Sequence, residues 1–303
     1  MGIATGVRTY AVGRRLQIPM SIGRGAGAAI ATSMACQPLV VAAHHGVWAA
    51  ATLGGVRCVP GRTSLAVATP SSKMFDAVRS DVALVAGAFD TAAILQRRQD
   101  GRGALLALGF RHGSTEPIAF IKAASAEVGD GLEREARCLS ALAAVSGHGL
   151  VHIPALIGSG VSNGVRWIAV SPLPARPHRP AYRAPVDEIV SLLQHALDGA
   201  LERRDAPGHW RAMHGDFAPW NLRKLFGGPL ALFDFEDAGF APPAADRTYW
   251  QATSAVLRRD RGNIELDHES CEYWTDVVTK RLDAGVDPTA DRRLLAVLEQ
   301  ARY

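Results

Sequence analysis

A proline-rich stretch from Pro172 to Pro185 separates two unlike halves of this 303-residue chain, and that division constrains the fold more than any other feature. Proline lacks a backbone N–H and fixes φ, so neither a long helix nor a central strand can run through such a segment. Ahead of it, apolar runs at Val82 to Val85, Ala92 to Leu95, Ala104 to Phe110 and Pro117 to Lys122 are separated by Gly- and Asp-containing turns, which predicts antiparallel strands. One helix interrupts them. Leu132, Ala136, Leu139 and Ala143 recur at helical spacing, with Glu133 and Glu135 in the opening turns, where carboxylates suit the helix dipole. A hairpin follows, Ala155 to Val161 and Val165 to Val170 around Ser162-Asn163-Gly164, since Asn-Gly supplies the positive φ values of a tight turn. Behind the prolines, Val186, Ile189, Val190, Leu193 and Leu197 mark a helix, and helical spacing prevails from Thr248 onward. The expected class is α+β in two lobes, strand-rich then mainly helical. Residues 1–80 read as a poorly defined N-terminal extension, 81–174 as the strand-rich lobe and 175–303 as the helical lobe.

Composition excludes several alternatives. At 48% hydrophobic and 20% charged residues the chain resembles an ordinary globular protein and not a disordered one. Its formal net charge of +4 is mild, and the 33 lysines and arginines are dispersed, so neither nucleic acid nor a charged membrane is demanded as a partner. The alanine-rich segment Gly25 to Gly55 is interrupted by Gln37, Pro38, His44 and His45, which argues against a membrane span or a secretory leader. Cysteines at 36, 58, 138 and 271 are too far apart for a C-x-x-C pair; a reducing cytoplasm is the expected setting. Oligomeric state is not legible.

Four polar features occur in an order that suggests chemistry: Lys122, Glu135, the segment His214-Gly215-Asp216-Phe217-Ala218-Pro219-Trp220-Asn221, and Leu230-Ala231-Leu232-Phe233-Asp234, an apolar strand ending in a carboxylate. Lys122 or Glu135 alone would be an ordinary solvated charge. Together with the acidic segment they match phosphoryl transfer from ATP. That reaction needs a carboxylate beside the attacking hydroxyl, oxygen ligands holding Mg²⁺ against the phosphates, and a cation on the α- and β-phosphates. Asp216, Asn221 and Asp234 offer the oxygens; magnesium accepts a carboxylate and an amide oxygen alongside phosphates and water. His214, Asp216 and Asp234 also suit a metal-dependent hydrolase, although further histidine ligands are lacking near the motif.

In these motifs the chain resembles the aminoglycoside phosphotransferase and choline kinase-like family, whose fold is protein-kinase-like. The family reads His-Gly-Asp where protein kinases read His-Arg-Asp, and Asp234-Phe235-Glu236-Asp237 stands where they carry Asp-Phe-Gly. The resemblance implies a small-molecule kinase using ATP and Mg²⁺, with 81–174 as the nucleotide-binding lobe and a small hydroxylated molecule as acceptor. It implies Asp216 as catalytic base, Asn221 and Asp234 as metal ligands, and a Lys122–Glu135 ion pair, Glu135 being preferred to Glu133. Ser171 and Leu173 stand at the hinge whose backbone would hold adenine. Asp246 would brace the catalytic loop, and His214 would orient it. No Gly-x-Gly-x-x-Gly precedes Lys122; Gln99 to Gly103 is the nearest glycine-bearing turn. A nucleotide-binding pseudokinase is the competing reading. Glu265, Asp267, Glu269, Glu272 and Asp276 form either a solvated helix face or a binding surface for an amine.

Overall fold

The computed structural model describes residues 9–12, 16–32, 36, 38–65, 70–96, 104–145, 149–258, 264–285 and 288–301. It divides into two compact units: Met1–Ala136 with Pro154–Arg179 and Leu225–Gly228, and Arg137–Ile153 with Pro180–Lys224 and Pro229–Tyr303. A large sheet flanked by helices organises the first and helices dominate the second, so the class is α+β as expected.

The first unit is built on an eight-stranded sheet whose strands are β1 (Thr9–Val12), β2 (Leu16–Pro19), β3 (Arg62–Leu65), β4 (Thr91–Gln96), β5 (Leu105–Phe110), β6 (Ala119–Ser125), β7 (Leu156–Ser162) and β8 (Val165–Val170). Their order is β3-β1-β2-β4-β5-β6-β8-β7, with antiparallel neighbours throughout. Alternation along the strands feeds two cores. Ala93, Leu95, Leu108 and Phe110 pack with Ile18, Ile22 and Ile30, while Ala92, Ile94, Leu105 and Ala107 pack with Phe75, Val78 and Val82. The β7–β8 hairpin closes as its sequence predicts, with φ of +50° at Asn163 and +74° at Gly164.

Two sequence expectations are corrected in this unit. Residues 1–80 are not an undefined extension: they hold β1, β2 and β3, the helices α1 (Ala26–Thr32) and α2 (Pro38–Gly54), and the start of α3 (Pro70–Ala86). Through β2, which pairs with β4, they extend the sheet. Their core is assembled from small side chains such as Ala26, Ala28, Ala29 and Ala51, and residues of this kind leave little contrast between apolar and polar positions. Val82 to Val85 is not a strand but the end of α3, because Val82 continues a buried stripe with Phe75 and Val78 at helical spacing. The window Leu39–Cys58, meanwhile, is long and apolar enough by length and composition to cross a membrane, with a mean hydropathy of 1.3 and 17% of it buried. The interruptions weighed in the sequence either precede that window or, as His44 and His45, leave its mean intact.

The helix α4 (Asp130–Leu142) follows β6, and the proline-rich stretch contains a short strand, β9 (His178–Pro180). The second unit gathers α5 (Val186–Leu197), α6 (Ala245–Arg258), α7 (His268–Asp283) and α8 (Pro288–Gln300). Two small ladders accompany them, β10 (Arg211–Met213) with β13 (Gly239–Ala241), and β11 (Leu222–Leu225) with β12 (Leu230–Leu232). Its core joins Met213 and Ala218 to Tyr249, Cys271, Trp274, Val278, Leu294 and Leu298. The ends of these short strands are where the polar motif residues emerge.

Candidate active site

In the first unit, Lys122 does not end its strand. It lies within β6, opposite Leu106 of β5 and Ile168 of β8. Its neighbours Ile121 and Ala123 point into one core, so period-two alternation turns Lys122 to the other face. There Lys122 Nζ meets Glu135 Oε2 at 2.7 Å, with the two residues 4% and 2% exposed. Glu133, two positions earlier on α4 and so on another face of the helix, pairs instead with Arg166 at 2.6 Å. Ser171 is committed locally: its N–H donates to the Ala155 carbonyl and its hydroxyl accepts from the Ala155 N–H, each at 2.8 Å. That leaves its own carbonyl, together with the partly exposed Leu173, as the groups available to a nucleotide base. The turn Gln99 to Gly103 lies outside the described residues.

In the second unit, the motif segment is held by a buried scaffold. Asp246, in the first turn of α6, accepts from the backbone N–H of His214 at 2.8 Å and of Gly215 at 3.3 Å. The Asp216 N–H donates to His214 Nδ1 at 3.2 Å. Nδ1 therefore carries no proton, and the protonated Nε2 donates to the Phe233 carbonyl at 3.1 Å. His214 thus ties the loop to the end of β12 with both ring nitrogens occupied. Gly215 has φ of +83°, and a Cβ there would lie 1.9 Å from the Asp237 carbonyl oxygen. No side chain fits. Gly215→Ala is expected to cost about 1–3 kcal/mol through clash and backbone strain, read as a lower denaturation midpoint; an unchanged midpoint would show that the loop relaxes freely.

Asp216 is the centre of the cluster. Its Oδ2 accepts from Asn221 Nδ2 at 2.7 Å and from Trp220 Nε1 at 3.1 Å, and Asn221 Nδ2 also reaches the Asp216 carbonyl at 3.0 Å. Although the residue keeps an accessible edge, its carboxyl is packed among protein atoms. Burial pushes it up to about 7, the Trp220 N–H opposes this, and the charge of Asp234 reinforces it. Burial likewise lifts Asp246 to about 7 against its two backbone donors. Asp234 follows β12 in a left-handed conformation, φ +75°, that a non-glycine residue rarely adopts without functional or local cause.

The donor set fits a hard cation. Asn221 directs its NH₂ at Asp216, since the opposite orientation would set amide oxygen against carboxylate; its Oδ1 is left as a ligand atom. Asp234, close enough to raise the Asp216 pKa, supplies a carboxylate that a divalent cation would relieve. The structure therefore brings together Asp216, Asn221 and Asp234 in one unit and Lys122 with Glu135 in the other. Sequence reasoning missed Trp220 as a partner of Asp216, although it lies inside the motif.

Residues 192–262 match the model of the phosphotransferase enzyme family, APH. The resemblance drawn from His214 to Asn221 is shown over this part of the chain. No curated protein sequence matches significantly. Among solved structures, the chain is similar to aminoglycoside phosphotransferase APH(4)-Ia at 12% identity, covering 74% of this chain and 98% of that one, TM-score 0.44. The macrolide 2'-phosphotransferase MphH from Brachybacterium faecium follows at 17% identity, covering 74% and 98%, TM-score 0.42. The PknI kinase domain of Mycobacterium tuberculosis is 20% identical, covering 69% and 95%, TM-score 0.32.

Proposed function

We propose that this chain is a small-molecule kinase that transfers the γ-phosphoryl group of ATP, in the presence of Mg²⁺, to a hydroxyl of its acceptor. The observation that carries the reading is the Asp216 carboxyl fixed by Asn221 and Trp220 beside the charge of Asp234. Asp216 accepts the proton of the attacking hydroxyl, the acceptor oxygen bonds to phosphorus, and ADP leaves with the electrons of the broken P–O bond. Asn221 Oδ1 and the Asp234 carboxylate would hold Mg²⁺, which when bound neutralises phosphate charge. Lys122 neutralises the α- and β-phosphates, and Glu135, paired to it at 2.7 Å, holds the ammonium in place. Leu173 and the Ser171 carbonyl accompany the adenine.

Mg-ATP should raise the melting temperature of the purified chain by a few degrees, because saturation a hundredfold above Kd adds about 2.7 kcal/mol to the native state. ADP should then appear in an acceptor-dependent manner. No thermal shift with Mg-ATP would sink the kinase reading and the pseudokinase reading together. A shift without transfer to any acceptor would leave only the second.

A further inference from the structure

The helical unit places a second charged group beside Asp216 that neither the motif nor the family match concerns. Arg281, in the last turn of α7, lies half-buried against the core. Its Nη1 donates to the Tyr249 hydroxyl at 3.2 Å, and its guanidinium lies 6.0 Å from the Trp274 ring centroid. Tyr249, stacked on Trp274 at 4.1 Å, is also close to the catalytic segment: its ring meets Trp220 edge-on at 6.3 Å, and Trp220 donates to Asp216. A basic residue at a helix C-terminus usually serves the dipole. Lys280 already does so from an outward position, its side chain 73% exposed and paired with Asp276. Arg281 instead turns inward.

Charge accounting separates Arg281 from an ordinary structural arginine. Among the described residues it forms one hydrogen bond and no ion pair, although a guanidinium has five N–H donors in a fork suited to an oxyanion. Burial disfavours its charge, but Tyr249, Asp216 and Asp237 outweigh burial and hold its pKa above the ordinary value. Burial first, and the Asp216 charge second, push the Tyr249 phenol well above its own. Tyr249 is therefore a neutral donor and acceptor, and Arg281 a fixed cation. Three of the five acidic residues that could greet a polycation are meanwhile engaged. Asp267 caps α7 through Ser270, Glu269 takes His209 and Trp210, and Asp276 takes Lys280.

We propose that Arg281 is the anion-binding group of the acceptor subsite, and that the acceptor is a small hydroxylated oxyanion, a hydroxy-carboxylate or sugar phosphate, oriented by the Arg281 guanidinium with its hydroxyl toward Asp216. This inference rests on the kinase reading and narrows its acceptor. A bidentate pair between guanidinium and oxyanion fixes both position and rotation of a small substrate, and a site built around it rejects the analogue that lacks the anion.

The test measures ADP release from Mg-ATP with matched acceptors: D-glycerate against glycerol, D-gluconate against D-glucitol, glucose 6-phosphate against glucose, and kanamycin as a polycation. At least one anion should exceed its neutral partner tenfold or more in kcat/KM, with the carboxylates and the phosphate showing which oxyanion is preferred. Arg281→Met should erase that ratio mainly through KM, and Arg281→Lys should restore part of it, while both variants keep the wild-type thermal shift with Mg-ATP. That shift certifies folding and keeps the outcomes distinct. Its absence in the wild type indicts the kinase reading itself. A normal shift with kanamycin or a neutral polyol preferred, with no anion turned over, or with an anion-to-neutral ratio unmoved in Arg281→Met, overturns the anionic acceptor alone.

Discussion

Asp216→Asn is expected to lower phosphoryl transfer by roughly 10²–10⁴-fold, the usual contribution of a positioned base, while leaving the Mg-ATP thermal shift close to wild type. Asparagine keeps the shape of the side chain and an oxygen for Asn221 Nδ2 and Trp220 Nε1 to donate to, so the loop has no reason to collapse. What it loses is the capacity to take a proton. The same substitution has a stability signature in metal-free buffer. Burial holds the folded Asp216 carboxyl at about 7 against an ordinary value of 3.8, so between those pH values the unfolded chain has released a proton that the folded chain keeps. The stabilising contribution is complete below the lower value and lost as pH rises through the upper one. The variant has no such group to titrate. Its melting temperature relative to wild type should be higher at pH 8 than at pH 4, the pattern expected where function is kept at a cost in stability. Transfer at the wild-type rate would remove Asp216 as the base.

The order of functional groups was legible because it depends on polar residues at topologically fixed places. Asp216 and Asn221 share one short loop, and Asp234 lies two residues beyond β12, the strand that pairs with β11 directly after that loop. The resemblance implied Asp246 as a brace for that loop, and its carboxylate accepts from the backbone N–H groups of His214 and Gly215. Periodicity found β4, β5, the β7–β8 hairpin, α4 and α5, where apolar and polar residues contrast. It failed in residues 1–80, where alanine and glycine carry much of the packing, and at Val82, where four apolar residues in a row fit a strand as well as a helix end. Lys122 was found but misplaced at a strand terminus, because a charge in a strand normally marks its solvated end. The partner Glu135, at 2.7 Å, makes an interior position tolerable. Arg281 lies 65 residues beyond Asp216 and has no motif of its own. Its proximity to Tyr249 arises from the packing of α6 and α7, which no local pattern encodes.

The second large effect is expected from Glu135→Ala. Lys122 and Glu135 are 4% and 2% exposed and meet at 2.7 Å. Deleting the carboxylate takes from a buried ammonium its partner at 2.7 Å, and breaking a buried pair from one side costs about 3–5 kcal/mol, which is a large share of the stability of an ordinary domain. Loss of function in that variant would by itself be ambiguous, since an unfolded chain transfers nothing. The paired replacement Lys122→Met with Glu135→Leu resolves this. It removes both charges and fills the same volume, a change that is often neutral or stabilising for a buried ion pair, so most of the denaturation midpoint should return. If Lys122 serves the nucleotide phosphates, the double variant should remain folded and lose transfer, with a reduced Mg-ATP thermal shift. Were the pair only a structural clip, the double variant would recover activity along with stability.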